Sequence, residues 1–274
     1  MPEGPEIRRA ADELAVVLDR RIAKHVAFGL PHLKCHDALL SGRRIEAVES
    51  RGKALLLHFA DGWSVYTHNQ LYGRWQVVAA GKRPNTTRQL RLAIDTRDAS
   101  ALLYSASDIL VCQREALAEH PYLAGLGLEL LAPQTTEEAV RARCDEARFQ
   151  RRALGGLLLD QGFLAGIGNY LRSDILYAAG VRPDWRLGDL QPLQRAALAD
   201  ACLSLTRQAY RSGGVTNNLH RAAGLKKSGM CYSRYRHLVF DREGEPCWTC
   251  GTLIIRELAA GRNVFLCPAC QAGR

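Results

Sequence analysis

The sequence lacks long hydrophobic runs, internal repeats and tracts of low complexity. None of its apolar segments approaches the roughly 18 uninterrupted residues that a membrane-spanning helix needs. The chain also opens on Pro2 and Glu3 instead of a basic and apolar leader, so the sequence predicts no secretory signal. These absences argue against a protein with membrane-spanning helices and against a repeat protein, and we expect a cytoplasmic protein.

Five of the nine cysteines follow no pairing pattern, which argues against a disulfide framework. Scattered thiols of this kind are typical of proteins in a reducing compartment. The five are Cys35, Cys112, Cys144, Cys202 and Cys231.

The other four cysteines form a regular array near the C-terminus, namely Cys247, Cys250, Cys267 and Cys270. The spacing C-x2-C-x16-C-x2-C is typical of a structural zinc site, in which four thiolates complete the tetrahedron and leave no open position for water or substrate. We therefore expect one structural zinc ion that stabilises a small β-hairpin. The alternative is that the two C-x2-C pairs are disulfides or redox couples.

Positive charge is in excess and is concentrated in the last quarter of the chain. The sequence holds 37 Lys and Arg against 28 Asp and Glu, a formal net charge of +9. Residues 207–274 carry 11 of the basic and four of the acidic residues, a local net charge of +7. This balance predicts a polyanionic partner such as nucleic acid, although a solvated basic face would have the same composition.

The N-terminal half predicts a helix followed by short strands. Residues 3–18 place apolar side chains at helical spacing behind Pro5. From about residue 44 to residue 107, short apolar segments alternate with Gly, Asp, Asn and Pro turns, which is the pattern of a sandwich or a barrel. The predicted strands include 54–59, 63–67, 74–79, 90–95 and 101–105.

The second half predicts mainly helices. Thr135 and Glu138 have the spacing of a capping box that opens a helix after a linker, and helical patterns continue to about Ala209. Residues 212–230 are polar, Gly-rich and basic, which predicts a mobile loop. Short strands are predicted near 236–240, 252–256 and 262–266. The expected fold class is α+β, with domains at 1–130, 131–230 and 231–274.

Several motifs resemble, in order and nearly end to end, those of the formamidopyrimidine-DNA glycosylase and endonuclease VIII family. They are MPEGPEIRRAADEL at the start, RGKALLLHF at 51–59, HNQLYGRW at 68–75, LYSASD at 103–108, LLLDQGFLAGIGNYLR at 157–172, and the GEPCWTCG and CPAC pairs. Gly4 and the run Gln70, Leu71 and Tyr72 are similar to the bacterial endonuclease VIII branch. The resemblance implies a β-sandwich with a leading helix, a helix-two-turn-helix domain, and a monomeric base-excision repair enzyme acting on damaged bases and abasic sites in duplex DNA.

The resemblance assigns the chemistry to Pro2 and Glu3. Removal of Met1 exposes Pro2 as a secondary amine, and an α-amino group with a pKa of about 8 is partly unprotonated at neutral pH. Its attack on C1′ of the damaged nucleotide expels the base and leaves an iminium, which permits β-elimination and then δ-elimination. Glu3 is implied in proton transfer at the deoxyribose during ring opening, and Glu6 only in an auxiliary role.

Lys53 and Arg262 complete the implied catalytic set, and Asn169 is an implied DNA contact. Lys53 would contact a phosphate and donate a proton near the lesion, and Arg262 would bind the lesion phosphates with two parallel hydrogen bonds. Asn169 would meet a phosphate at the start of a helix. The residues by themselves also allow simpler roles, namely a solvated turn lysine, an exposed turn arginine and a helix cap.

Gln70, Leu71 and Tyr72 combine an amide, an apolar group and an aromatic ring, which suits the filling of the space that a flipped base leaves. An ordinary strand end is the alternative.

Two features depart from the family. Asp174 stands where related sequences usually carry Glu, and its shorter reach keeps it out of the predicted site. Residues 212–230 match poorly, so no lesion contacts are assigned there.

The features that are similar to the bacterial endonuclease VIII branch favour a bifunctional glycosylase and lyase that removes oxidised pyrimidines. Two other functions stay open at this point. A glycosylase for oxidised purines such as 8-oxoguanine would use the same Pro2, Glu3 and zinc hairpin. A zinc-ribbon protein that binds DNA without catalysis would need only the basic C-terminal region.

Overall fold

The computed structural model describes residues 2–272, which divide into two compact units at residues 125 and 126. Each unit has its own hydrophobic core. Within the described residues, no helix combines the length and the apolar character that crossing a membrane requires. The predicted α+β class is confirmed.

The first unit begins with helix α1 (Gly4–Leu18), as the apolar spacing predicts. Glu3 is its N-cap, and Glu3 and Glu6 form a capping box in which each side chain accepts a hydrogen bond from the other residue's backbone. This arrangement satisfies N–H groups that the first helical turn leaves without intrahelical partners. The buried face of the helix consists of Gly4, Pro5, Ile7, Ala11, Leu14 and Leu18.

Eight strands and two short helices complete this unit. The strands are β1 (His25–Phe28), β2 (Ile45–Arg51), β3 (Ala54–Phe59), β4 (Trp63–His68), β5 (Arg74–Ala79), β6 (Leu90–Asp95), β7 (Ala99–Tyr104) and β8 (Asp108–Gln113), and the helices are α2 (Asp37–Leu40) and α3 (Pro121–Ala124). They form two antiparallel four-stranded sheets with the orders β1-β6-β7-β5 and β2-β3-β4-β8. Side chains from α1 and both sheets share one core, which makes the unit a β-sandwich with a leading helix. All five predicted strands are present, with ends shifted by at most two residues.

The second unit is mainly helical and ends in a two-stranded hairpin. Its elements are β9 (Leu128–Glu129), α4 (Glu137–Asp145), α5 (Leu154–Leu157), β10 (Leu164–Ala165), α6 (Asn169–Ala178), α7 (Pro192–Ser212), α8 (Leu219–Lys227), α9 (Tyr232–Tyr235), β11 (Ile255–Ala259) and β12 (Arg262–Leu266). Buried side chains of α4, α6 and α7 form half of the core, and the segments between the helices supply most of the rest. A smaller cluster, which includes Ile254, Phe265 and Cys267, lies under the hairpin.

Three local predictions in this unit are wrong. The cap of α4 is Thr136, whose side chain accepts from the Ala139 N–H, because the helix begins one residue later than predicted. Residues 212–230 contain helix α8, because buried Ala222 gives it an apolar side. Residues 236–240 form no strand, because the N–H groups that a strand would pair donate instead to a buried carboxylate described below. The strand expected at 252–256 lies later, at β11.

Candidate active site and metal centre

The start of the chain holds a buried carboxylate beside the predicted nucleophile. Glu3 is 3% exposed, whereas Pro2 is partly exposed. The Glu3 carboxylate accepts from the Glu6 backbone, and the Glu3 N–H donates to Glu6 Oε2 at 3.0 Å. The positive end of the helix dipole favours an anionic side chain at this position. The capping box therefore fixes the orientation of Glu3 and, through it, the direction in which the chain leaves toward Pro2.

Lys53 lies in the two-residue turn between β2 and β3, where Gly52 adopts a positive φ of 58°. The residue is only 7% exposed, so it is not a solvated turn lysine. The Lys53 N–H donates to the Tyr122 hydroxyl at 2.7 Å. This bond holds the turn that presents the lysine.

His68 connects Tyr122 to the segment 70–72, and no sequence pattern indicates either contact. The Tyr122 and His68 rings meet edge to face, with centroids 5.3 Å apart. The Gln70 N–H donates to His68 Nδ1 at 3.1 Å, which requires that nitrogen to be unprotonated. Burial lowers the pKa of His68, and the charge of Lys53 lowers it further against the opposing effect of Asp108. The neutral imidazole is therefore the favoured acceptor.

Gln70, Leu71 and Tyr72 form a tight turn between β4 and β5, not an ordinary strand end. Gln70 has a left-handed φ of 49°, and its Oε1 accepts from Ser107 Oγ at 2.9 Å. Leu71 and Tyr72 are 52% and 68% exposed. Apolar side chains held outward in this way on an ordered turn can fill a gap in a stack of bases.

Asn169 begins helix α6 but does not cap it, because the cap is Gly168. Its side chain instead donates from Nδ2 to the Asn263 carbonyl at 2.9 Å and accepts from Arg172 Nη2 at 2.6 Å. Arg172 is fully buried and also donates to the Ala259 and Asn263 carbonyls, at 3.0 and 2.8 Å. The guanidinium thus ties the start of α6 to the turn of the β11-β12 hairpin.

Arg262 is the first residue of β12 and follows Gly261, whose φ of 72° closes the turn. Its side chain is exposed. Because Asn169 bonds to the next residue, Asn263, the structure brings the two predicted phosphate contacts of this unit into one neighbourhood. An exposed guanidinium at the tip of an ordered hairpin can bind a phosphate with two hydrogen bonds.

The four cysteines of the predicted zinc site converge. Their Sγ atoms all lie within 4.8 Å of one another, with Cys247 to Cys270 at 3.8 Å and Cys250 to Cys267 at 3.4 Å. Zinc–sulfur bonds of about 2.3 Å place tetrahedral thiolates roughly 3.8 Å apart. The residues therefore fit a zinc ion, and the distances are too long for the disulfide alternative. Two backbone N–H groups, of Thr249 and Cys270, point at ligand sulfurs from 3.4 Å.

Asp174 has no part in a solvent-facing site, because it is completely buried. It accepts from the N–H groups of Val239 and Phe240 at 2.9 and 3.0 Å and from the Thr216 hydroxyl, and it lies 3.3 Å from His237 Nδ1. Burial raises the pKa of this carboxyl, but the hydrogen bonds and the His237 charge outweigh burial and hold it below 3.8. The hydrogen bonds of this aspartate hold residues 237–240 against helix α6.

Asp174→Asn should destabilise the second unit by about 3 kcal/mol, because an amide would present N–H donors to backbone N–H groups. Thermal or urea unfolding measures the loss. Since the folded pKa is lowered, the stability that Asp174 contributes is present above pH 3.8 and disappears as the pH falls through the folded pKa, so the two proteins should converge in acid.

Asp184→Asn is the matched control. The Asp184 side chain is 65% exposed and pairs with Arg182 at 2.9 Å, so the change should stay within about 0.5 kcal/mol. Equal effects of the two substitutions would contradict the structural role of Asp174.

Three family models match the chain. They are described as the formamidopyrimidine-DNA glycosylase N-terminal domain, at residues 1–107, the formamidopyrimidine-DNA glycosylase H2TH domain, at residues 126–220, and the zinc finger found in FPG and IleRS, at residues 244–273. The last range contains all four converging cysteines. The prediction of one structural zinc is confirmed.

Curated relatives match over their whole length. Endonuclease 8 of Escherichia coli strain UMN026 is 45% identical over 272 residues, which is 99% of this chain and 100% of the relative. Endonuclease 8 of Shigella sonnei is 44% identical with the same coverage. Among solved structures, Lactococcus lactis Fpg (MutM) in complex with DNA containing N7-benzyl-Fapy-dG has a TM-score of 0.81 at 20% identity, covering 99% of this chain and 100% of that one. This last likeness shows the shared fold.

Proposed function

The chain belongs to the formamidopyrimidine-DNA glycosylase and endonuclease VIII family, and on that premise we propose how its own residues carry out the reaction. Members of the family are DNA glycosylases with abasic-site lyase activity in base excision repair, and this chain is such an enzyme. The observation that carries the proposal is the buried Glu3 carboxylate, fixed by the capping box directly after Pro2.

Pro2 is the nucleophile. Its unprotonated amine attacks C1′, the glycosidic C–N bond breaks, and the base leaves with its electron pair and takes up a proton. Breaking the C1′–O4′ bond then gives an open-chain iminium, with a proton delivered to O4′. We assign that transfer to Glu3, whose buried carboxylate takes the proton that the Pro2 nitrogen loses and delivers it to O4′, while the capping box restricts its rotation.

The iminium then acts as an electron sink for strand cleavage. It acidifies the C2′ proton, whose loss expels the 3′ phosphate by β-elimination, and a second elimination expels the 5′ phosphate. Hydrolysis of the remaining iminium by one water molecule frees Pro2. One amine thus serves both base excision and strand cleavage, and no oxidant or reductant is consumed.

Lys53 and Arg262 bind phosphates around the lesion, and Asn169 contacts a phosphate from the start of α6. Support comes from the burial of Lys53, the exposure of Arg262, and the bond from Asn169 to the hairpin backbone. The zinc ion held by the four cysteines supplies a structural crosslink and takes no part in the chemistry. The damaged nucleotide is flipped out, because the amine could not reach it inside a stacked duplex. Leu71 and Tyr72, which are exposed, fill the space that its base leaves.

The substrates we propose are oxidised pyrimidines, such as thymine glycol, 5-hydroxycytosine and dihydrouracil, and abasic sites. The 44–45% identity to proteins named Endonuclease 8 supports this branch over the oxidised-purine branch. We also propose a monomer that works in the cytoplasm on nucleoid DNA, with catalysis in residues 1–130, helix-two-turn-helix binding in 131–230, and the zinc hairpin in 231–274.

Borohydride trapping on a panel of single-lesion duplexes tests the function. The iminium should be reduced to a stable amine, which links the protein covalently to DNA that carries a pyrimidine lesion or an abasic site. Preference for 8-oxoguanine opposite cytosine over every pyrimidine lesion would move the protein to the oxidised-purine branch. No covalent product with any lesion or abasic site would leave a DNA-binding zinc protein without catalysis.

A further inference from the structure

Tyr177, in the last turn of α6, places its hydroxyl beside the zinc site. The hydroxyl oxygen lies 3.2 Å from Cys247 Sγ and 2.7 Å from the Thr249 hydroxyl oxygen. The side chain packs against the small cluster under the hairpin, and the residue is half-buried. A tyrosine suits this position, because its ring is apolar and its tip is polar. The cysteine spacing that predicts the zinc site gives this residue no role.

Metal binding fixes the direction of both hydrogen bonds. By geometry alone, either atom of each pair could be the donor. A cysteine that binds zinc is a thiolate, which has no proton to donate. The Tyr177 O–H must therefore donate to Cys247 Sγ, and the Tyr177 oxygen is left to accept from the Thr249 O–H. The result is a directed chain from Thr249 through Tyr177 to the ligand sulfur.

This chain acts on a concentrated negative charge. Four thiolates around one Zn²⁺ carry a formal net charge of about −2. Cys247 is only 5% exposed and Cys267 is fully buried, so water has little access to two of the four sulfurs. Hydrogen bonds to an ionised acceptor are stronger than those between neutral groups, and each bond in a chain polarises the next. The Tyr177 hydroxyl therefore stabilises the Cys247 thiolate, and the Thr249 hydroxyl strengthens that effect.

A simpler role would be for the Tyr177 hydroxyl only to satisfy its own hydrogen-bonding capacity. Thr249 is exposed, and the 2.7 Å bond to it would be enough for that purpose. The second contact, to the buried sulfur of Cys247, is not needed for a satisfied hydroxyl. It therefore points to a role toward the metal.

We propose that Tyr177 retains the zinc ion indirectly, by donating a hydrogen bond that stabilises the Cys247 thiolate, and that Thr249 acts through Tyr177. Partners of this kind orient metal ligands and raise the affinity of a site for its metal. Helix α6, which begins at Asn169, thus supplies a determinant of metal retention to the hairpin. The inference concerns the metal site and does not depend on the glycosylase chemistry.

The test is the rate at which the zinc-loaded, full-length protein loses its metal to an excess of the chromogenic chelator pyridylazoresorcinol. Tyr177→Phe keeps the ring and removes the hydroxyl. It should release zinc about tenfold faster, in line with the loss of affinity that follows removal of a ligand's hydrogen-bond partner. Tyr104→Phe is the matched control, because it removes a hydroxyl from a buried tyrosine of the first unit, and its rate should equal that of the parent.

Thr249→Val tests the order of the chain. Valine is close to threonine in shape, lacks the hydroxyl and keeps the backbone N–H that points at Cys247 Sγ. It should accelerate zinc release less than Tyr177→Phe does, whereas Thr249→Ser should behave as the parent. In a Tyr177→Phe background, Thr249→Val should have no further effect, because the group through which it acts is gone. Additive effects of the two substitutions would overturn the directed chain.

Cobalt substitution separates a bond to sulfur from a change in packing. In the Co²⁺-loaded protein, the thiolate-to-cobalt charge-transfer band of Tyr177→Phe should lie at longer wavelength than that of the parent. The reason is that a hydrogen bond to sulfur lowers the energy of the electrons that this transition removes. The ligand-field bands of the tetrahedral site and the melting temperature should be parental. A parental rate of zinc release in Tyr177→Phe, or an unshifted charge-transfer band at any rate, would overturn the proposal.

Discussion

Replacing Pro2 with glycine should reduce base excision by about 100-fold or more while DNA binding is largely kept. The substitution retains a terminal amine but makes it primary and frees the backbone that α1 and Glu3 position, and a displacement of about 1 Å at a reacting atom is enough for such a loss. Single-turnover excision of thymine glycol measures the effect, with anisotropy for binding.

Retention of Met1 should have a larger effect still, because it places the Pro2 nitrogen in a peptide bond. Mass spectrometry identifies the processed and unprocessed forms. Normal excision by a preparation that keeps Met1 on every molecule would rule out the amine mechanism, whatever the behaviour of the glycine variant.

Cys267→Ser should abolish zinc binding, the fold of the hairpin and base excision together. The cluster under the hairpin is small, with Val239, Cys247, Ile254, Phe265 and Cys267 as its buried members. In small zinc domains the metal supplies about 10–16 kcal/mol of the folding free energy. The few apolar contacts of this cluster cannot replace that contribution. Metal analysis and circular dichroism report on the fold, and excision assays on activity.

Arg262→Ala is the comparison that separates the metal from the guanidinium. Its side chain is exposed, so zinc content and fold should persist, while base excision falls about 10- to 100-fold through the loss of charge-assisted hydrogen bonds. Cleavage at abasic sites should suffer less in both variants, because an opened site needs less distortion. Parental excision by Arg262→Ala, or an active parent without zinc, would contradict the assignment.

The parts of the fold and site that the sequence predicts well depend on local spacing. Helix α1 follows from a 3.6-residue pattern and an acid at its cap, and the zinc site from the spacing of its cysteines. The contacts that position the site join distant residues, such as Lys53 with Tyr122 and Asn169 with Asn263. No pattern within a short window contains such contacts.

The wrong predictions have the same physical origin. The apolar segment at 236–240 looks like a strand by composition, but the Asp174 carboxylate, more than 60 residues earlier, binds its N–H groups. The polar stretch at 212–230 looks like a loop, but it contains α8, and Asn217 before the helix bonds to the Tyr235 carbonyl after it at 2.8 Å. Tertiary hydrogen bonds decide both conformations.

Helix α6 contacts both ends of the zinc hairpin. Arg172 bonds to carbonyls at its turn, and the Tyr177 hydroxyl lies 3.2 Å from Cys247 Sγ at its base. We therefore expect helix and hairpin to unfold locally as one cooperative unit, which hydrogen exchange of their amides would show as a shared opening free energy. We therefore expect removal of the zinc ion by a chelator to release Asn169 and Arg262 from their relative positions together.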